Sequence, residues 1–230
     1  KKEYKLINFR KIMNFKEQRS FMVENQLRPN KINNLHIINL FNTLEKESFL
    51  KNYTLSNIYS DNEILLKDHR GYLKNLHIAQ LLQNSNITKD DKVLHIGGLT
   101  GYVSVLISKL CKNLIVIENN IDFLNIMKNN VKNEKIENIL IYENDLKSGY
   151  NKHSPYDLIF IDCPVYNFDK TLLFEQINSD NGRIIMIDKI NENICKAVKI
   201  TKIKQNFNKE FLFDVFSKFL LYQEKEQFVF

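Results

Sequence analysis

The sequence has no apolar run long enough to cross a bilayer as a helix; its longest, such as "LIVI" at Leu114 to Ile117, end after a few residues. Cysteine is scarce. Cys111, Cys163 and Cys195 are widely spaced and odd in number, which excludes a disulfide framework and any cysteine-based metal pattern and points to a reducing cytoplasm. Internal repeats and low-complexity linkers are absent, so one domain is the simplest organisation for 230 residues. The N-terminal "KKEYKLINFRKI" is basic and lacks the continuous apolar stretch of a secretory signal. Met13 is expected to be the natural start, with residues 1–12 a leader or remnant that carries no function.

What is present is ordinary for a globular protein: 43% hydrophobic and 26% charged residues. The net charge of +6 raises the question of nucleic acid. The lysines are scattered rather than clustered, however, and the abundance of Lys, Asn and Ile reads as the mark of an AT-rich genome. Neither a nucleic-acid nor a membrane partner is expected.

Residues 1–85 read as a helical segment packing on a core formed by residues 86–230. Leu35, Ile38, Phe41 and Leu44 recur three apart, one apolar stripe of a helix that Asn33 or Asn34 can cap. His77 to Gln83 reads as a second helix. After residue 85 short β-rich runs alternate with helical patterns: 92–96, 113–118, 138–143, 156–162 and 183–188 are strands, while "YVSVLISKL" and "IDFLNIMKNNVK" are amphipathic at helical spacing. Strands that are apolar throughout and separated by helices imply a parallel sheet covered on both faces, hence a doubly wound α/β fold. The C-terminal part reads as strands and loops, with a hairpin finishing the sheet; 213–219 is the least defined stretch.

In such a fold ligands bind at the carboxyl ends of the strands. The first end is "HIGGLTGY", His95 to Tyr102. A dinucleotide fingerprint from Gly97 would need glycine at Leu99 and Tyr102, and a phosphate loop would need a Gly-Lys pair; both fail. Gly97 and Gly101 fit the outer glycines of the G-x-G-x-G turn of S-adenosylmethionine-dependent methyltransferases, with Leu99 replacing the middle one and Gly98 lying between. From this stretch alone, a tight turn with no ligand is an equal reading. Three acids at later strand ends favour a cofactor site. Glu118 can accept from both hydroxyls of a ribose, Asp145 can meet an adenine amino group, and Asp162 ends the fourth strand.

The ordered motifs "MVENQLRPNKI" (22–32), "YLKNLHIAQLLQ" (72–83), "DKVLHIGGLTGY" (91–102), "ENDLKSGY" (143–150), "SPYDLIFID" (154–162), "NGRIIMI" (181–187) and "FVF" (228–230) resemble the protein-L-isoaspartate O-methyltransferases, in a bacterial branch similar to alphaproteobacterial members. The likeness runs from about Met13 to Phe230 and is most distinctive in "MVENQLRP". It implies a class I methyltransferase (Rossmann-like) fold, with a mostly parallel seven-stranded sheet and N-terminal helices over the cofactor crevice. It also implies methyl transfer from S-adenosylmethionine to the free α-carboxylate of L-isoaspartyl residues in damaged proteins. Such chemistry asks for alignment and exclusion of water more than for acid–base groups. No metal is implied.

The sequence departs from the family at several points. Where well-characterised members carry a serine in a pattern like T-I-S-x-P, Lys74 stands at the serine place and Leu76 at the proline. His95 replaces an acid that helps hold the cofactor's amino group in the family, and "CP" follows Asp162 in place of a small turn. Leu99 either turns toward the sheet, leaving the crevice open, or points into it and takes the cofactor's volume. His77 is expected to be a surface or half-buried histidine rather than a base, and Cys163 lacks a histidine nearby in sequence to make it a nucleophile. The losses at His95, Leu99 and Lys74 leave a second function open, a methyltransferase fold kept as a binding or assembly module. A methyltransferase acting on nucleic acid or small molecules has only the basic charge behind it.

Overall fold

The computed structural model describes residues 14–51, 53, 57–166, 168–192 and 194–222. Residues 1–12, Met13 and the closing 228–230 motif lie outside the described residues. Helix α1 (Phe15–Met22) opens on a capping box in which Asn14 and Glu17 each satisfy the other's backbone N–H. Helix α2 (Leu35–Thr43) is capped by the Asn34 side chain, which accepts from the His36 and Ile37 amides. Its buried face is Ile37, Ile38, Leu40 and Phe41. Leu35, expected in the stripe, faces solvent because the face is centred on the Ile37 and Phe41 rows.

The segment between α2 and the next helix corrects the all-helical reading. After a short 3-10 turn at Lys46–Phe49, strands β1 (Ile64–Lys67) and β2 (Arg70–Tyr72) form an antiparallel hairpin. Its turn residues Asp68 and His69 both have positive φ, +51° and +59°, the signature of a primed two-residue turn. Helix α3 (Asn75–Asn84) follows as expected.

Strands β3 (Lys92–Ile96), β4 (Asn113–Glu118), β5 (Ile139–Glu143), β6 (Leu158–Val165), β7 (Asp180–Lys189), β8 (Cys195–Ile203) and β9 (Asn206–Val215) make one seven-stranded sheet in the order β5-β4-β3-β6-β7-β8-β9. The first five run parallel, and β8 and β9 complete the sheet as the expected antiparallel hairpin. Helices α4 (Tyr102–Ser108), α5 (Ile121–Asn133) and α6 (Thr171–Gln176) provide crossovers. Strand order reverses between β3 and β6, which sets the ligand crevice at their carboxyl ends. Strand β6 runs past Asp162 through Cys163 and Pro164, with an irregular register against β7 between Phe160 and Pro164. Strand β9 is a largely exposed edge carrying Phe207 and Phe211 on its surface. No helix among the described residues is long and apolar enough to cross a membrane.

Buried cations tie the N-terminal segment together. Arg19 donates to the Asn42 carbonyl at 3.1 Å and to Glu47 at 2.8 Å, with the Tyr59 hydroxyl beside it. Lys46 is fully buried, and its ammonium donates to Asn75 Oδ1 at 2.8 Å. The Tyr72 and Tyr102 ring centroids stand 5.2 and 5.3 Å from it. Burial pushes its pKa down from the ordinary lysine value to about 7, attraction to Asp162 offsetting only part of that.

The unfolded chain therefore holds the Lys46 proton up to about pH 10.4 while the folded chain releases it near 7, so stability rises with pH from 7 upward. Burial raises the Cys111 and Cys163 thiols, which opposes this above about pH 8.5, where unfolded thiols ionise. Urea unfolding should give a free energy that climbs between about pH 7 and 8.5, by at most about 2 kcal/mol. Lys46→Met should flatten that climb whatever it does to stability at a single pH.

Candidate functional site

The crevice floor is the turn from β3 into α4. Gly97 has φ +87° and Gly101 φ +96°, the latter opening α4 as its N-cap. The Gly97 amide donates to the Ile117 carbonyl at 2.9 Å, which locks the turn against β4. Gly98 is required for a different reason. A Cβ there would stand 2.5 Å from Val116 Cγ1 and 2.7 Å from Met127 Sδ, so the glycine lets α5 and β4 pack on the turn. The Tyr72 hydroxyl bonds Thr100 Oγ1 at 2.8 Å and accepts from the Tyr102 amide at 3.2 Å, fixing the far side of the loop.

Leu99 adopts φ +50°, left-handed, with its side chain buried in the hydrophobic core. A branched residue there costs roughly 1–2 kcal/mol, which core burial offsets. Its amide points at the end of β4 and donates to Glu118 Oε2 at 3.0 Å.

Glu118 is fully buried, and both its oxygens are taken. Arg70 reaches it from β2 as a fork, Nη1 to Oε1 at 2.6 Å and Nη2 to Oε2 at 2.8 Å. The Asn119 and Asn120 amides donate to Oε1 at 2.9 and 3.0 Å. Burial acts to lower the Arg70 pKa, and the Glu118 carboxylate more than reverses it, so the guanidinium is firmly protonated. Its Nε is buried with no acceptor.

The space over Gly97 is filled as well. A Cβ built on Gly97 would stand 2.6 Å from Leu221 Cδ1 and 3.0 Å from Arg70 Nη2. Leu221 is held there by its amide, which donates to the Pro164 carbonyl at 2.9 Å, while the Leu220 amide donates to His69 at the hairpin turn at 3.1 Å. What remains open at this mouth is a cavity of about 290 Å³ bordered by Asp68, Arg70, Asn120, Phe123 and Tyr222. That is the bottom of the size range of small-molecule sites. In this arrangement Arg70 holds both Glu118 oxygens and Leu221 stands over Gly97, so no ligand could pair with that carboxylate without displacing Arg70.

His95 is likewise engaged inward. Its Nδ1 lies 2.9 Å from Ser104 Oγ and its Nε2 3.0 Å from Asp162 Oδ1. A carboxylate only accepts, so Nε2 donates to Asp162, while the Ser104 hydroxyl pairs with the other ring nitrogen. The order Ser–His–Asp matches a nucleophilic triad, yet all three side chains are buried, so the network joins β3, α4 and β6 rather than meeting a substrate.

The structure thus gathers His95, Gly97, Gly98, Leu99, Gly101, Glu118 and Asp162 at one place. Asp145, beyond β5, is exposed, and its Oδ2 accepts from the Lys147 and Ser148 amides in a turn. Lys74, at the start of α3, makes a solvated ion pair with Asp61 at 3.2 Å. Cys163 is buried with its thiol pushed up by desolvation, which removes it as a nucleophile. His77 is half-buried, its pKa lowered by burial, and its ring lies 5.8 Å from that of Phe213. Among the described residues no group of three His, Cys, Asp or Glu side chains is placed to hold a metal ion. The residues that sequence reasoning passed over are Arg70 and Leu221. The only local signal for Arg70 was a lone cation beside Gly71.

Comparison with known proteins accounts for this architecture. The sequence profile of the protein-L-isoaspartate(D-aspartate) O-methyltransferase (PCMT) family matches residues 17–216. A protein-L-isoaspartate O-methyltransferase of Koribacter versatilis is 24% identical over 172 residues, covering 75% of this chain and 77% of that one. One of Thermotoga maritima is 32% identical over 159 residues, covering 66% of this chain and half of the longer relative. Among solved structures, a protein-L-isoaspartate O-methyltransferase superposes with TM-score 0.76 at 24% identity, over 90% of this chain and 66% of that one. A Plasmodium falciparum putative enzyme of the same name, in complex with S-adenosyl-L-homocysteine, superposes with TM-score 0.71 at 18% identity, over 87% and 97%. These superpositions establish the fold as that of class I methyltransferases, and the profile match over most of the sequence establishes the lineage. The chain belongs to the protein-L-isoaspartate(D-aspartate) O-methyltransferase family, enzymes that use S-adenosylmethionine to methylate the free carboxylate of L-isoaspartyl residues.

Proposed function

We propose that this chain carries out the family reaction, methyl transfer from S-adenosylmethionine to L-isoaspartyl carboxylates in damaged proteins, from an arrangement in which Arg70 and Leu221 have left the crevice. The observation that carries this reading is Glu118. It ends β4 beside the glycine turn and is oriented by the Leu99 amide, where a carboxylate meets a ribose lying across the sheet. With Arg70 gone, Glu118 would offer two oxygens to two hydroxyls, the Gly97–Gly101 turn would form the floor, and Asp145 would stand toward the adenine end. His95 and Asp162 would hold the wall between β3 and β6, and residues 1–85 would cover the 86–230 core within one domain. The acceptor is already ionised at neutral pH, so the sealed His95 network is no obstacle. A protein partner and a cytoplasmic setting agree with the scattered lysines and the three free, buried cysteines.

The second reading, a fold kept for binding or assembly, would require that Arg70 never leave the crevice. Calorimetry with S-adenosylmethionine and S-adenosylhomocysteine separates the two. Binding below about 1 mM, followed by methyl transfer to an isoaspartyl peptide, is the expected result; a folded chain that binds neither ligand at that level has lost the catalytic function.

Leu99→Gly should act in two directions. Losing the buried side chain costs about 2–3 kcal/mol and relieving the left-handed φ returns roughly 1, so net unfolding stability should drop by about 1–2 kcal/mol. S-adenosylhomocysteine binding should not tighten, because the Leu99 side chain lies in the core while Arg70 and Leu221 fill the crevice.

A further inference from the structure

We propose that the β1–β2 hairpin and the Ser217–Tyr222 segment form a latch, in which the Arg70 guanidinium competes with the cofactor ribose for Glu118 and Leu221 stands over Gly97. The proposal rests on the function given above and adds how entry to that site is controlled.

The exchange is donor for donor. Arg70 presents two N–H groups to the Glu118 oxygens, as a ribose would present two O–H groups, so a nucleoside can replace it without leaving the carboxylate unpaired. The two parts of the latch lie about 150 residues apart in sequence, yet they are joined to each other: Leu220 N–H to His69 O, and the Phe219 ring against Gly71, where a Cβ would stand 2.9 Å from Cζ. They are therefore expected to move as one unit. Over Gly97 the segment is tied by the bond from Leu221 N–H to Pro164 O, at the irregular end of β6; its two ends are anchored more loosely, by Cys195 Sγ and Lys189 Nζ at 3.7 and 3.5 Å from Ser217 O and by the Tyr222 hydroxyl at 3.5 Å from Tyr166 O.

The latch is also built to be released. A two-stranded hairpin alone is marginally stable in water, and this one turns through two consecutive non-glycine residues at positive φ. Arg70 Nε has no acceptor while buried, and would regain water on leaving. The Lys67–Asp122 pair that moors the hairpin to α5 from outside is solvent-exposed and so contributes little. The cavity beside Arg70 gives an incoming ligand a place to meet the latch before it opens. A closed latch multiplies the apparent dissociation constant by the inverse of the open fraction.

The test titrates S-adenosylhomocysteine by calorimetry into the full chain, Arg70→Gln and Leu221→Ala, with folding checked by circular dichroism. Leu221→Ala keeps the ion pair and serves should Arg70→Gln fail to fold. Folded variants should bind at least about tenfold more tightly than the parent. Hydrogen exchange on the unaltered chain supplies a second readout: bound ligand should accelerate exchange of the Leu220 and Leu221 amides. If parent and variants bind equally, or those amides stay protected in the complex, the latch is overturned and the methyltransferase reading stands. If no folded form binds, both fall.

Discussion

A carboxylate at the end of a fully buried strand is the constraint around which the crevice is organised. Leaving Glu118 ionised and unpaired in that position would cost several kcal/mol, so something must always face it. In the structure that partner is Arg70, arriving from a hairpin outside the sheet. Backbone amides of Leu99, Asn119 and Asn120 complete the shell and aim the carboxylate toward the mouth. The glycine turn, the β1–β2 hairpin and the C-terminal segment all take their places by reference to this one group.

The same logic explains what became of the other polar positions. His95 is satisfied by Ser104 and Asp162 in a closed chain that needs no ligand. Asp162 is thereby held in the wall, buried against His95. Lys46 satisfies its burial differently, with one amide oxygen and two phenol rings in place of a carboxylate. The polar groups around the crevice are thus paired with one another, on a sheet whose strand order and crossovers are those of class I methyltransferases.

Much of this was legible in the sequence. Central strands read clearly because β3, β4 and β6 are buried on both faces and so apolar throughout, and Asn34 announced α2 because an Asx side chain is the natural partner of unpaired amides. The hairpin was hidden because its turn is Asp68–His69, without the glycine that usually marks positive φ. Strand β6 ran longer than expected because Pro164 sits at a register irregularity, where no ladder donor is demanded of it. Arg70 and Leu221 were invisible for a different reason. Their roles are set by partners 48 and 124 residues away, at Glu118 and Gly97 (118 − 70 and 221 − 97), and no local pattern encodes a meeting at that range.

The margin of the sheet has a consequence for the molecule in a crowded solution. Among the described residues, strand β9 is the edge of the sheet and offers an unpaired row of backbone donors and acceptors, the usual template for annealing to another chain. Its aromatic side chains are partly roofed by ammonium groups, Lys196 over Phe211 and Lys202 over Phe207, and Lys199 with Glu210 places charge along the same ribbon. A neighbouring copy seeking to extend the sheet would have to strip water from those cations first. The rim thus resists fibre-like growth through its charges.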